Sequence, residues 1–177
     1  MTDGIHISDD RRVNRTQKLI FEAFADLVQS RRFDEIRTLD IIECAGVGKS
    51  TFYEHFRDKS DVLQQSLRGP FAIIADALTG SENPNSLKEI LDHFWDNRTF
   101  GRVILRHPTR SVVEECLRGL IIRRIEKSDG DETEAERSAR ATFLAAGFMA
   151  LLTDWLTGKV AVKTAQFTNI VTRLATI

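Results

Sequence analysis

Hydrophobic residues recur at three- and four-residue intervals along most of the chain, and charged residues fill the positions between them. No window alternates between apolar and polar residues over a useful length, so no β-strand is expected. The spacing from about residue 12 to residue 31 predicts an amphipathic first helix. The pattern predicts an all-α protein whose first helix turns one apolar stripe toward a core: Val13, Ile20, Phe24, Leu27 and Val28.

Two short apolar segments separated by glycine follow the first helix. Thr38 is placed to cap a helix over residues 38–45, and Gly46 is placed to end it. A second short helix is predicted over residues 49–56. Two short helices joined by a glycine turn form a helix-turn-helix, so residues 1–66 are predicted to be a three-helix N-terminal domain.

Residues 67–177 keep the helical pattern and predict a second domain, built as a helical bundle. The helix that begins at Lys59 is expected to break at Gly69-Pro70, because proline has no backbone N–H to donate. Two later helix starts have the spacing of capping boxes: Ser86 with Glu89, and Thr133 with Glu136. After a surface loop at 80–85, the expected helices cover residues 86–98, 100–107, 110–127, 134–157 and 163–176.

The charges of the chain nearly cancel, since 25 Lys and Arg stand against 26 Asp and Glu and the pI is about 6.4. No field of the whole protein would draw it to phosphate or to an anionic membrane. Even residues 11–66 hold ten Lys and Arg against nine Asp and Glu. Binding to nucleic acid would therefore depend on a local patch and be selective.

The residues that carry most enzyme chemistry are scattered. Cys44 and Cys116 lie far apart with no histidine at metal-ligand spacing, so neither a zinc site nor a disulfide framework is predicted. The segment 46–50 lacks the earlier glycine and the strand of a phosphate loop. No enzyme activity, metal or cofactor is expected. The longest apolar run, 143–152, is too short to span a bilayer and no leader opens the chain, so a cytoplasmic protein is expected.

The second short helix carries polar side chains suited to reading DNA. Lys49 and Ser50 lie at its front, where an ammonium and a hydroxyl can bond base edges in the major groove. Phe52 and Phe56 point the other way and are spaced to anchor this helix on the first one. Phosphate contacts are predicted for Thr51, Tyr53, His55 and, at the start of the next helix, Lys59.

A larger set of residues keeps a consistent spacing through the same region: Arg15-Thr16, Ile20, Ala23, Leu27, Phe33, Thr38, Ile41, Ala45-Gly46-Val47, Thr51-Phe52-Tyr53, His55-Phe56, Lys59 and Leu63. This set resembles the DNA-binding domain of the tetracycline-repressor (TetR) family. The resemblance implies a bacterial regulator, usually a repressor, that binds a near-palindromic operator in double-stranded DNA as a homodimer. It also implies a C-terminal helical domain that dimerises and commonly holds a small-molecule inducer.

Carried over position by position, the resemblance implies DNA contacts for eight residues: Thr38, Gly48, Lys49, Ser50, Thr51, Tyr53, His55 and Lys59. Family members usually carry serine where this chain has Gly48, so one hydroxyl contact to phosphate is absent. Ile42 and Cys44 stand where alanines are usual, which predicts a slightly wider spacing between the two short helices. Four basic residues are expected to reach flanking DNA: Arg11, Arg12, Arg15 and Lys18.

The last two predicted helices carry apolar stripes that suit a dimer interface within residues 134–176. The first of them is also apolar off its stripe, through residues such as Phe143, and this surplus suggests a second partner. The alternative is that the surplus is core within one subunit. The predicted interface comprises Ala141, Ala145, Phe148, Leu152, Trp155, Phe167, Ile170 and Leu174.

A set of aromatic and aliphatic residues marks a candidate inducer pocket, lying on helices that surround the cavity in the resembled family. The alternative is that these residues are ordinary core. The set is Phe71, Ile74, His93, Phe94, Trp95, Phe100, Val103, Ile104 and Phe148. An inducer would act by preferring a conformer whose two recognition helices are wrongly spaced for successive major grooves.

Two functions remain open from the sequence. The first is a repressor released by an inducer bound in the C-terminal domain. The second is a regulator of the same fold that is controlled by a protein partner or acts as an activator, without a small-molecule pocket.

Overall fold

The computed structural model describes residues 4–80, 84–127 and 131–175, with the side chains from residue 13 onward except that of Pro84. The described ranges contain nine α-helices, one short 3-10 turn and no strand, which confirms the all-α prediction. The helices are α1 Gly4–Ser30, α2 Thr38–Ala45, α3 Lys49–His55, α4 Lys59–Leu78, α5 Pro84–Asp96, α6 Arg98–Ile104, α7 Thr109–Ile125, α8 Glu134–Leu156 and α9 Thr164–Ala175; the 3-10 turn is Phe33–Glu35.

The chain divides into two compact units, Met1–Ser66 and Leu67–Ile177. In the first unit α1 packs against α2. Four residues of the predicted stripe of α1 lie in the core, with Ile20 and Phe24 fully buried, while Val13 is half-buried. Gly46 ends α2 with φ at 64°, a left-handed conformation that glycine adopts without strain. The turn to α3 therefore forms where the sequence predicts it.

α4 does not break at Gly69-Pro70 but continues to Leu78, which corrects the predicted interruption. Proline in a helix interior removes one backbone hydrogen bond and crowds the preceding turn. Leu67 and Phe71, on either side of Pro70, are buried in the second unit. We attribute the continuity of α4 to this burial, which offsets the lost bond.

Of the three residues predicted to cap helices, two do not act as caps in the structure. Thr38 is the first residue of α2 rather than its cap, because the Asp40 carboxylate accepts a hydrogen bond from the backbone N–H of Arg37 at 2.8 Å. Ser86 lies inside α5, which begins earlier at Pro84, a residue suited to the first helical position. The predicted capping box of Thr133 and Glu136 is confirmed.

In the second unit α8 packs against α6, α7 and α9, and α5 packs against α9. Its largest buried side chain, Trp155, stacks on Phe167 with ring centroids 4.2 Å apart and donates to the carbonyl of Val162 at 3.0 Å. α6 approaches α8 closely at Gly101, where an added Cβ would lie 3.0 Å from a methyl of Leu156. This unit is a packed bundle built around α8.

No helix in the described ranges combines the length and the apolar composition that crossing a membrane requires.

Candidate functional site

α3 separates its side chains into a buried and an exposed set. Phe52 is fully buried, and the next residue beyond the helix, Phe56, is also buried and meets the ring of Phe21 of α1 edge-on at 5.5 Å. This confirms the predicted anchoring of the short helix on α1. Lys49, Ser50 and Tyr53 are exposed, Tyr53 by 59%. Because residues three and four apart share a helix face, these three side chains form one polar surface.

Lys49 is the cation of this surface. Several other cations of the first unit are paired: Arg37 with Asp40 at 2.8 Å, Arg32 with Asp34 at 3.1 Å and Arg57 with Asp61 at 3.5 Å. The described ion pairs of the chain do not include Lys49. An exposed ammonium outside these ion pairs is available to an acceptor on a ligand.

The pKa values of the paired carboxylates show that these arginines interact strongly with them. Hydrogen bonds from Arg37 lower the pKa of Asp40 to about 2. Burial raises the pKa of Asp61, but hydrogen bonds from Arg57 and Gln65 outweigh it and the pKa is lowered overall. Arg37 and Arg57 are thus bound to the protein itself at the two ends of the helix-turn-helix.

Gly48 is the N-cap residue of α3, with extended backbone geometry and no side-chain hydrogen bond to the helix. A Cβ at this position would lie 3.6 Å from the hydroxyl of Thr51 and 3.9 Å from that of Ser50, which are ordinary contacts. The site therefore has room for a Cβ, such as that of the serine usual at this position in the resembled family.

The remaining predicted contact residues lie around α2 and α3. Thr38 is at the start of α2, and Thr51 and His55 are half-buried on α3. The backbone carbonyl of His55 accepts a hydrogen bond from the Gln65 side chain at 3.2 Å.

Lys59 has other partners than the phosphate predicted from the sequence. Its ammonium donates to the carbonyls of Phe33 and Ile36 at 2.6 Å each and lies 3.3 Å from that of Asp34. It also lies 4.6 Å from the ring centroid of Phe33. A lysine ammonium has three hydrogens, and all three are used inside the protein. Sequence reasoning missed this role because the carbonyls come from a segment more than twenty residues away.

The predicted pocket residues lie mostly in the core of the second unit. Phe71, Ile74, Phe94 and Ile104 are buried, and the rings of Phe71 and Phe94 are 6.2 Å apart. The others differ in exposure: His93 is exposed and lies against Asn97, Trp95 meets Trp155 at 4.9 Å, and Phe100 and Val103 are half-buried. Phe148 is the member of this set that lines the groove described next.

An open apolar groove of about 410 Å³ runs along α8 and α9. Phe143 and Leu174, two of its lining residues, are 77% and 51% exposed. Gly147 and Ala150 provide small side chains in the same lining. The full lining is Leu78, Phe143, Leu144, Gly147, Phe148, Ala150, Leu151, Asp154, Val171 and Leu174.

This groove corrects the residues predicted for the dimer interface. Most of the stripe chosen from the sequence is buried in the core of its own unit. Five of its members are therefore closed to a second copy: Ala141, Ala145, Leu152, Trp155 and Phe167. Phe148 is 4% exposed and also lines the groove. Ile170 is half-buried and Leu174 is exposed. The apolar surplus of α8 lies on its other side, in the groove.

Comparisons with known proteins agree with the helix-turn-helix. A family model described as "Bacterial regulatory proteins, tetR family" matches residues 20–65, and one described as "Transcriptional regulator C-terminal region" matches residues 82–176. A TetR transcriptional regulator from Streptococcus agalactiae 2603V shares the fold, with a TM-score of 0.56 at 22% identity over 96% of this chain and 98% of that one.

Two curated relatives are similar in sequence. The chain is 29% identical to the dhaKLM operon transcriptional activator DhaS of Lactococcus lactis subsp. lactis (strain IL1403), over 77% of this chain and 76% of DhaS. It is 37% identical to the uncharacterised HTH-type transcriptional regulator YxbF of Bacillus subtilis (strain 168), over 45% of this chain and 22% of that longer protein. With both of its units matched by family models, the chain belongs to the TetR family of bacterial regulatory proteins.

Proposed function

We propose that this TetR-family transcriptional regulator binds a near-palindromic DNA operator as a homodimer, through the exposed face of α3. The observation that carries the proposal is the separation of α3 into a buried anchor, Phe52, and a polar face of Lys49, Ser50 and Tyr53. A recognition helix needs this construction, since its angle in the major groove must be fixed while its front stays free.

Each polar residue has a proposed part in binding. Lys49 and Ser50 read base edges, because they lie at the front of α3 and Lys49 has no ion pair among the described ones. Tyr53, Thr51, His55 and Thr38 donate to phosphates and set the register of the helix on the duplex. Gly48 contributes its backbone alone.

The homodimer is proposed to form through the α8–α9 groove. Phe143 and Leu174 are two of the most exposed large apolar side chains in the described structure, and both line this groove. In a twofold dimer the same patch meets itself, so Phe143 of each copy can enter the groove of the other beside Gly147 and Ala150. Two copies would then present two recognition helices to half-sites about one helical turn apart.

The direction of control has two candidates. The resemblance to the TetR family favours a repressor released by an inducer in the second unit. A specific observation favours the other: DhaS, to which the chain is 29% identical over most of its length, is named as a transcriptional activator. The mutual contact of Phe71 and Phe94 also fits a filled core at the predicted pocket.

The test uses the full chain and fluorescent duplexes cut from the DNA that flanks its gene. We expect one palindromic duplex to bind tightly with two chains per duplex, as measured by anisotropy and by sedimentation of the complex. Binding no tighter to any flanking duplex than to scrambled DNA would contradict the proposal. In vitro transcription from the bound promoter then distinguishes a repressor from an activator, since added protein lowers the amount of transcript for a repressor and raises it for an activator.

A further inference from the structure

The ammonium of Lys59 donates hydrogen bonds to three backbone carbonyls, two of them at 2.6 Å. The side chain is half-buried, and the ring of Phe33 covers the ammonium at 4.6 Å. Binding a phosphate would require this group to give up hydrogen bonds that are already short and charge-assisted.

The carbonyls that Lys59 holds lie just before α2. Phe33 and Asp34 belong to the 3-10 turn, and Ile36 directly precedes Arg37, the N-cap of α2. Thr38, a proposed phosphate contact, is the next residue. Lys59 therefore fixes the backbone that leads into the first helix of the helix-turn-helix pair.

A second side chain of α4 holds the other end of the pair. Gln65 donates to the carbonyl of His55, the last residue of α3, at 3.2 Å. The N-terminal end of α4 thus ties down the start of α2 through Lys59 and the end of α3 through Gln65. Together, the hydrogen bonds of Lys59 and Gln65 fix the positions of α2 and α3 relative to the start of α4.

We infer that Lys59 is a positioning residue of the DNA-binding surface, which acts by donating hydrogen bonds to the segment before α2, and is not a phosphate ligand. The inference rests on the proposed function, because it concerns how the α2–α3 surface is held for DNA. A lysine can act in two ways, and the two can be tested separately. Its positive charge attracts a phosphate, whereas its N–H groups donate hydrogen bonds to carbonyls.

The experiment places two lysine analogues at position 59. Lys59→Cys is made in a background of Cys44→Ser and Cys116→Ala and is alkylated under denaturing conditions, then refolded. Bromoethylamine gives an ammonium with three N–H donors, and bromoethyl-trimethylammonium gives the same charge with none. The background protein taken through the same treatments is the matched control.

Operator affinity is measured at a temperature where circular dichroism shows every form fully folded. We expect the N–H form to bind the operator within about twofold of the control, and the trimethyl form to bind on the order of tenfold more weakly. Equal affinity of the two forms would overturn the inference, because charge alone would then suffice. If the trimethyl form does not fold, the dimethylammonium analogue takes its place, since it keeps the charge and only one of the three N–H donors. Affinity equal to that of the N–H form would likewise overturn the inference.

A salt titration gives a second, independent readout. A phosphate contact contributes about 0.9 to the slope of log affinity against log salt, so losing one in each half-site would change the slope by about 1.8. Lys59→Met is expected to weaken binding and leave the slope unchanged, whereas loss of a phosphate ligand from both half-sites would lower the slope by about 1.8. A reduced slope for Lys59→Met would overturn the inference, while failure of the control protein to bind any operator would overturn the proposed function instead.

Discussion

α3 and α8 each turn a face toward solvent, and the two faces are built in opposite ways. α3 is seven residues long, buries Phe52 and exposes polar side chains. α8 is 23 residues long, buries one apolar side in its own unit and exposes a second apolar side at Phe143. A helix with one apolar side has one way to pack, whereas a helix with two leaves one side for a partner. On this difference we base the proposal that α3 contacts DNA and that α8 contacts a second copy of the chain.

Phe143→Asp is expected to have the largest effect, because it places two carboxylates in the proposed dimer interface. Each copy loses the burial of a phenyl ring and must desolvate a charge, so dimerisation should weaken by about 5 kcal/mol or more in total. Sedimentation velocity at micromolar concentration measures the change as a shift from dimer to monomer.

Leu19→Asp is the control for this variant, since Leu19 is a large apolar residue that is 41% exposed on α1 and does not line the groove. It should leave the dimer intact. An unaltered dimer in Phe143→Asp would place the interface elsewhere and remove the partner role from the exposed side of α8.

Two variants of α3, Lys49→Ala and Tyr53→Phe, test the roles proposed for its exposed side chains. Loss of a base-reading lysine is expected to cost about 2 kcal/mol per half-site and to relax the preferred sequence. Loss of one phenol hydroxyl should cost about 1 kcal/mol per half-site, equally across sequences. Anisotropy titrations against operator variants at fixed salt measure both. A Tyr53→Phe variant with altered sequence preference, or a Lys49→Ala variant with none, would reverse the two roles.

The sequence predicts the DNA-binding unit better than it predicts the partner surface. Gly46, Phe52 and Phe56 lie where their spacing places them, because a short helix between two turns has little freedom. For α8 the spacing of Ala141 and Ala145 is equally good for a core or an interface, and their complete burial within one chain decides between them.

Hydrogen bonds between residues that are distant in the sequence are the other feature that sequence patterns do not predict. The carbonyls bound by Lys59 and Gln65 come from backbone, which carries no side-chain signal in the sequence. The course of α4 through Pro70 is a similar case. Leu67 and Phe71 are buried, the ring of Phe71 meets that of Phe94 on α5, and we attribute to this burial the override of a local preference.

Gly48→Ser is a gain-of-function test of the α3 surface. The position has room for the side chain, and a serine hydroxyl there can cap α3 and donate to phosphate. Operator affinity is expected to rise by about 1 kcal/mol per half-site, while folding stability changes by only a few tenths of a kcal/mol. Weaker binding by a normally folded variant would show that Gly48 is needed for close approach of the backbone to DNA.

Asp40→Asn should have the smallest effect and tests the start of α2. Arg37 lowers the pKa of Asp40 to about 2, so the carboxylate stabilises the fold above its ordinary pKa of about 4, and this contribution is lost as the pH falls toward 2. Thermal unfolding should show Asp40→Asn slightly less stable than the wild type at pH 7, with the gap closing between pH 4 and pH 2. A gap that persists unchanged at pH 2 would contradict the assignment.

Hydrogen–deuterium exchange of the full chain, with and without its operator duplex, tests most directly whether α3 meets DNA. We expect DNA to slow exchange in peptides covering residues 46–56 and to leave peptides covering 143–154 unchanged in a pre-formed dimer. DNA-dependent protection at 143–154 with none at 46–56 would contradict it.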